Sequence, residues 1–269
     1  MSFAAKTTVL LIASLTLVHS SATASDFWDE VREPGISQYR RLTDEAELAL
    51  RARRLTDALR LADEAIALID DAPRGHMIRG LAAGERGAVD DGAQSITRAL
   101  ALDPTSLDGA FAERATAVLL RANALIPARS ILERAVRSAG PGIQRDTLFA
   151  TYGDVLQALG PDHLEAAIGA YREALRERGN SGRAQLGLAL ALRRQGAAIS
   201  AWRSSAQAAA DSTARQLLLS LSLPPAEIES RAALLMEVAE DLMGARTAWE
   251  RAATGPWAIF AQEAAMALQ

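Results

Sequence analysis

The sequence predicts an all-α fold, a right-handed superhelical solenoid of about six helix-turn-helix repeats with a C-terminal capping helix. Composition points there first. Hydrophobic residues make up 49% of the 269-residue chain but aromatics only 4%, so the apolar content is mainly Ala and Leu, which favour helices and close helix packing. Val, Ile and Thr are too sparse for sheets. The second observation is a recurring triplet of small, bulky and small residues, and the third is a set of turn residues placed between the segments that carry it.

The N-terminus reads as an export signal. Met1 to Lys6 carries one positive charge, Thr7 to Val18 is an apolar run, and Ala22-Thr23-Ala24 places small residues at a cleavage site. The run is about a dozen residues, short of the roughly 20 that span a bilayer, so cleavage after Ala24 is expected rather than anchoring. Residues 1–24 are thus assigned to a signal peptide, 25–35 to an N-terminal extension and 36–269 to the repeat domain. No later stretch is long and uncharged enough for a membrane span, and a periplasmic or secreted location follows. The absence of Cys fits an oxidising compartment and excludes thiolate zinc sites and thiol nucleophiles.

The six triplets are Ala58, Ala62, Ala65; Gly92, Ile96, Ala99; Ala128, Leu132, Ala135; Ala167, Tyr171, Ala174; Ala198, Trp202, Ser205; and Ala245, Trp249, Ala252, of which only the first lacks the bulky middle residue. Spacings of four and three put each set on one helical stripe, where the small ends admit a neighbouring helix and the middle residue fills the gap. Their first members are 34, 36, 39, 31 and 47 residues apart. That clusters near the period of helix-turn-helix solenoids.

About twelve residues before the triplets, Gly80, Gly153 and Gly187 supply a close-approach position on the partner helix. Gly80, Gly92, Ile96, Ala99 and Pro104 together resemble the tetratricopeptide repeat signature. Tyr152-Gly153, Leu156, Ala167, Tyr171 and Ala174 resemble it again, as do Leu186-Gly187, Leu190, Ala198 and Trp202. The resemblance runs through residues 36 to 255 and is clearest over 73–206.

Turns within repeats are marked by Arg53 to Thr56, Glu85-Arg86-Gly87, Gly160-Pro161-Asp162 and Gln195-Gly196. Between repeats, Asp71-Ala72-Pro73, Asp103-Pro104, Gly140-Pro141-Gly142 and Gly179 to Gly182 do the same. Pro127, Pro225 and Pro256 stand where a first-turn proline opens a helix. The third repeat departs from the pattern, with Thr116 at the close-approach position, and residues 207–225 read as an irregular insertion holding an extra helix from Ser212 to Leu223. Residues 256–269, with Trp257, Ile259, Phe260 and Leu268, read as the capping helix. At the other end, Phe27 and Trp28 either tuck under the first repeat or form a hook for a partner.

No residue pattern points to catalysis, a metal or a cofactor. His76 and His163 lie in different repeats, Gly179-Asn180-Ser181-Gly182 lacks nucleophile-elbow spacing, and no phosphate-cradling glycine motif occurs. The acidic pairs Asp70-Asp71, Asp90-Asp91 and Glu240-Asp241 sit near helix starts and turns, where carboxylates cap amides. With 29 basic and 33 acidic residues and no block of like charge, nucleic acid is an unfavoured partner.

The resemblance implies instead a non-catalytic scaffold or adaptor that binds a peptide or partner protein on a concave face lined by first helices. Counting from the glycines, Arg74, Met77, Leu81, Asp154, Gln157, Leu188 and Ala191 point toward that groove or pack against a neighbouring helix. The alternative is a dedicated subunit of one envelope machine, joined through a permanent apolar interface. Exposure of Trp202 and Trp249 would favour it. Partner identity and oligomeric state are not written in these residues.

Overall fold

The computed structural model describes residues 34–105, 110–138, 145–210, 218 and 221–269. The segment expected to be a signal peptide, the expected extension as far as residue 33, and residues 211–217, 219 and 220 of the expected insertion lie outside the described residues. Described helices, in chain order, are α1 (Pro34–Arg51), α2 (Leu55–Leu68), α3 (Pro73–Arg86), α4 (Val89–Leu102), α5 (Ala110–Arg121), α6 (Leu125–Ser138) and α7 (Arg145–Leu159). They continue as α8 (Leu164–Glu177), α9 (Gly182–Arg194), α10 (Ile199–Ala210), α11 (Pro225–Val238), α12 (Leu242–Ala252) and α13 (Ala258–Met266). Each odd-numbered helix up to α11 pairs with the next in an antiparallel hairpin, and neighbouring hairpins stack through odd-to-odd contacts at α1–α3, α3–α5, α7–α9 and α9–α11 and through even-to-odd contacts such as α6–α7. The fold is an all-helical solenoid of stacked helix-turn-helix hairpins.

One backbone device makes all six hairpins. The reversal after each odd helix passes through a left-handed residue: Arg53 (φ 60°), Gly87 (107°), Asn123 (54°), Gly160 (117°), Gly196 (79°) and Glu240 (62°). In five of them the next amide reaches back five residues, as in Arg54 N to Ala49 O at 2.9 Å, Ala88 N to Ala83 O at 3.0 Å and Asp241 N to Met236 O at 2.9 Å. That is the Schellman way of satisfying the last carbonyls of a helix. The fourth hairpin differs because Pro161–His163 inserts a 3-10 turn after Gly160.

The small-bulky-small stripes form the hairpin cores. Ala58, Ala62, Ala65, Ile96, Ala99, Ala128, Ala167, Tyr171, Ala174, Ala245 and Trp249 are all solvent-inaccessible. At the foot of three second helices, the last small residue of the stripe serves a further purpose: Ala65, Ala99 and Ala174 accept the amides of the extended residues Ile69, Asp103 and Arg178. Gly80 and Gly92 face each other so closely that a Cβ on Gly92 would stand 2.8 Å from the Gly80 carbonyl oxygen.

The fifth triplet needs correction. Ala198 is exposed and lies ahead of α10, Ser205 is half-buried, and the buried stripe of α10 is Trp202, Ala206 and Ala209. The helix starts one residue too late for Ala198 to join it. In the third triplet Ala135 is only half-buried. Thr116 at the close-approach position is buried, with its hydroxyl donating to Ala112 O at 2.8 Å, so the helix absorbs the extra polar group itself.

Candidate protein-interaction surface

Two stretches of the odd-helix face carry polar side chains, and they differ in accessibility. The first belongs to α1, α3 and α5. Arg74 on α3 reaches α1 twice, with Nη1 donating to Asp44 Oδ1 and Nη2 to Glu47 Oε2, each at 2.7 Å. Glu47 also accepts from Arg51 Nη2 at 2.5 Å. The Arg51 guanidinium lies 5.9 Å from the centre of the Phe111 ring on α5, and Arg114 stands 6.0 Å from the same ring. Arg114 Nε in turn donates to Glu85 on α3 at 2.5 Å, and Arg53 Nη1 to the other carboxylate oxygen at 2.6 Å. Burial opposes ionisation of Glu85, but the hydrogen bond and charge of Arg114, helped by Arg53, outweigh it and hold the carboxyl below its ordinary range. The result is a half-exposed ribbon of alternating charge around one aromatic ring.

The second stretch, on α7, α9 and α11, is sealed. Arg231 on α11 is 1% exposed and its Nη2 donates to Asp154 Oδ1 at 2.6 Å, Gln157 Oε1 at 3.2 Å and Tyr171 Oη at 3.0 Å. Asp154 also accepts from Arg183 Nε at 2.7 Å and Tyr171 Oη at 2.7 Å. Burial and the Asp154 charge push the Tyr171 hydroxyl well above its ordinary pKa, so it stays protonated, donating to Asp154 while accepting from Arg231. Its ring lies between Gly153 and Gly187, where a Cβ at either position would collide with it. Beside this cluster Arg194 is buried and donates to Glu227 at 2.9 Å. Burial lowers the Arg194 pKa, against the pull of Glu227. Trp257, in the 3-10 turn Gly255–Trp257, completes the seal: its Nε1 donates to the Gln157 carbonyl at 2.8 Å and its ring lies 4.4 Å from the Arg194 guanidinium.

The expected groove positions fall accordingly. Arg74 remains half-buried and accessible. Met77, Leu81, Leu188 and Ala191 are buried in helix contacts, the alternative the sequence left open, and Asp154 and Gln157 are fully buried beneath Arg231. These six do not offer side chains to a partner in this conformation: residues of the sixth hairpin and the cap cover Asp154 and Gln157, and the other four pack in the cores between helices. Trp202 and Trp249 are also inside, 4.9 and 4.8 Å from the Arg193 guanidinium that lies over both rings. Sequence reasoning missed Glu47, Arg51, Phe111, Arg114 and Arg231. For Phe111 and Arg51 a signal existed, an aromatic and a cation in first helices, but Thr116 at the close-approach position of the third repeat obscured the alignment of Phe111.

Other groups are structural. His76 Nε2 lies 2.7 Å from the Asp70 carbonyl, and Asp241 caps α12 by accepting from Gly244 N at 2.9 Å. No described helix is long and apolar enough to cross a membrane.

The class defined by this architecture is the tetratricopeptide-type repeat solenoid. Solved structures with the same fold include MamA of strain AMB-1, at 19% identity and TM-score 0.52 over 69% of this chain and 98% of that one. MamA of strain MSR-1 matches at 18% identity and TM-score 0.50, covering 67% of this chain and 99% of that one. YrrB, described as a TPR protein with an unusual peptide-binding site, aligns at 17% identity over 77% of this chain and 96% of that one, but its TM-score of 0.42 is below the level at which a shared fold follows. No family model and no curated protein matches the sequence.

Proposed function

We propose that this protein is a non-catalytic interaction scaffold that works outside the cytoplasm and binds a peptide or partner protein on the odd-helix face of its first three hairpins. The observation that carries this reading is the contrast between the two stretches. The face of α7, α9 and α11 is filled by the chain itself, whereas Arg51, Arg74 and Phe111 stand at the surface with donors and an aromatic edge that a partner can meet. Burial of Trp202 and Trp249 further supports a transient adaptor, since neither is free to anchor a permanent interface. Export is supported by the charged, apolar and small-residue sections of residues 1–24.

A photocrosslinking amino acid at Arg51 in the exported protein is expected to give a discrete adduct in cells, and the same probe at Arg60 on α2 is not. Equal labelling from both positions, or none from Arg51, would count against this face. Mass analysis of the exported chain is expected to begin at Ser25, and an intact Met1 would remove the export reading.

A second reading, a dedicated subunit with a permanent interface, is favoured by one observation. Ile126, Ile199, Leu242 and Met243, at the starts of α6, α10 and α12, are exposed. If they form an interface, the isolated chain should self-associate at micromolar concentration, and their replacement by Ser should disperse it.

A further inference from the structure

The Gly255–Trp257 turn is seated on the solenoid as a bound peptide would be. After α12 the chain runs through extended Thr254 (φ −138°, ψ 161°) and left-handed Gly255 (φ 70°), then returns to the fourth hairpin, two units back. There Trp257 is 7% exposed. Its contacts are those of sequence-specific peptide capture. A helix-terminal carbonyl, Gln157 O, takes the indole N–H at 2.8 Å, and a cation, Arg194, lies over the ring at 4.4 Å. Gly160 admits the adjoining proline, since a Cβ there would stand 3.1 Å from Pro256 Cβ. Trp257 shares its core cluster with Leu156, Leu188 and Ala191 of the odd helices α7 and α9. The terminal helix that follows is short and loosely invested: α13 has nine residues and leaves Ile259 and Met266 exposed.

We propose that Gln157 O, Gly160 and Arg194 form a docking site for a proline-tryptophan segment of a partner protein, and that the chain's own Gly255–Trp257 turn occupies it as an intramolecular competitor. This goes beyond the reading of the first three hairpins and assigns the fourth and fifth a second, independent site with a stated ligand chemistry. A partner bearing the same dipeptide gains access when α13 and the turn lift together. The indole N–H supplies discrimination, because without it the Gln157 carbonyl loses its 2.8 Å partner and keeps only the longer bond from Gly160 N at 3.3 Å.

The probe is a fluorescein-labelled peptide, Thr-Gly-Pro-Trp-Ala with blocked C-terminus, read by anisotropy against the mature full-length chain, Trp257→Ala and Trp257→Phe. Trp257→Ala is expected to bind it at least about tenfold more tightly than wild type, and a 1-methyltryptophan analogue is expected to lose about tenfold. Trp257→Phe, which keeps a smaller aromatic ring and loses the N–H, should fall between the two proteins. No binding to a helical Trp257→Ala, equal binding to wild type, or indifference to methylation each overturns the proposal. Should Trp257→Ala fail to fold, hydrogen exchange on wild type decides: excess unlabelled peptide should speed exchange in 258–266 relative to α11 and α12. Exchange of α13 only in step with those helices overturns it. Because the peptide is added directly, failure here leaves the Arg51 face untouched, and failure at Arg51 leaves this site standing.

Discussion

Arg231 Nη2 lies 2.6 Å from Asp154 Oδ1, both side chains 1% exposed, although 77 residues and a whole hairpin separate them. In a solenoid each unit ordinarily touches only its neighbours. This pair and the Trp257–Gln157 bond break that rule and tie the sixth hairpin and its cap to the fourth.

Removing one partner from such a pair leaves a charge buried without compensation. Asp154→Asn is therefore expected to lower stability by about 3–5 kcal/mol, and Arg231→Met by less, because Arg183 and Tyr171 still serve Asp154. Chemical denaturation of the two single variants and the double variant measures the coupling. Additive losses would mean that the pair does not interact energetically.

The Tyr171 ring between Gly153 and Gly187 yields a second prediction. Gly187→Ala is expected to cost about 1–3 kcal/mol by overpacking, and combining it with Tyr171→Leu should recover part of the loss. Thermal melts of the single and double variants read it, and an unchanged melting temperature for Gly187→Ala would contradict the close approach.

Glu240 holds a left-handed conformation at φ 62° that its side chain disfavours. Glu240→Gly should stabilise the chain by about 1 kcal/mol, as Gly adopts that region without the Cβ clash. Denaturant midpoints compare the two, and a loss of stability would show that Glu240 contributes contacts outweighing the strain.

The depressed carboxyl of Glu85 gives a pH prediction. A folded-state pKa below the ordinary 4.5 contributes stability that is present above that value and is lost as pH falls through the folded pKa. Glu85→Gln should thus be less stable than wild type by about 1 kcal/mol near neutrality, with the gap closing on acidification below the ordinary value. A gap that persists unchanged at low pH would show that the charge is not its source.

The hairpin cores were legible because small residues at spacings of four and three report backbone proximity within one helix pair, as Ala167 and Tyr171 illustrate. Ala198 misled because a helix start one residue later is invisible to spacing alone. The expected groove at Asp154 and Gln157 was not legible for a different reason. What covers them is Arg231, beyond an irregular 47-residue step, and no local pattern announces which arginine will cross the face. The left-handed residues divide the same way: Gly87, Gly160 and Gly196 declare their turns, while Arg53 and Glu240 adopt the same conformation against their preference.

The bond from Trp257 to Gln157 also governs how the protein answers a pull on its C-terminus. A ladder of independent hairpins peels from the end like a zip, one unit per event, at low and even force. Here the load passes from the last turn directly to the fourth hairpin, past two that it shields from tension. Extension should then proceed by one large release of the two shielded hairpins in place of two small ones, making the end of this molecule its brittle part and the beginning its elastic part.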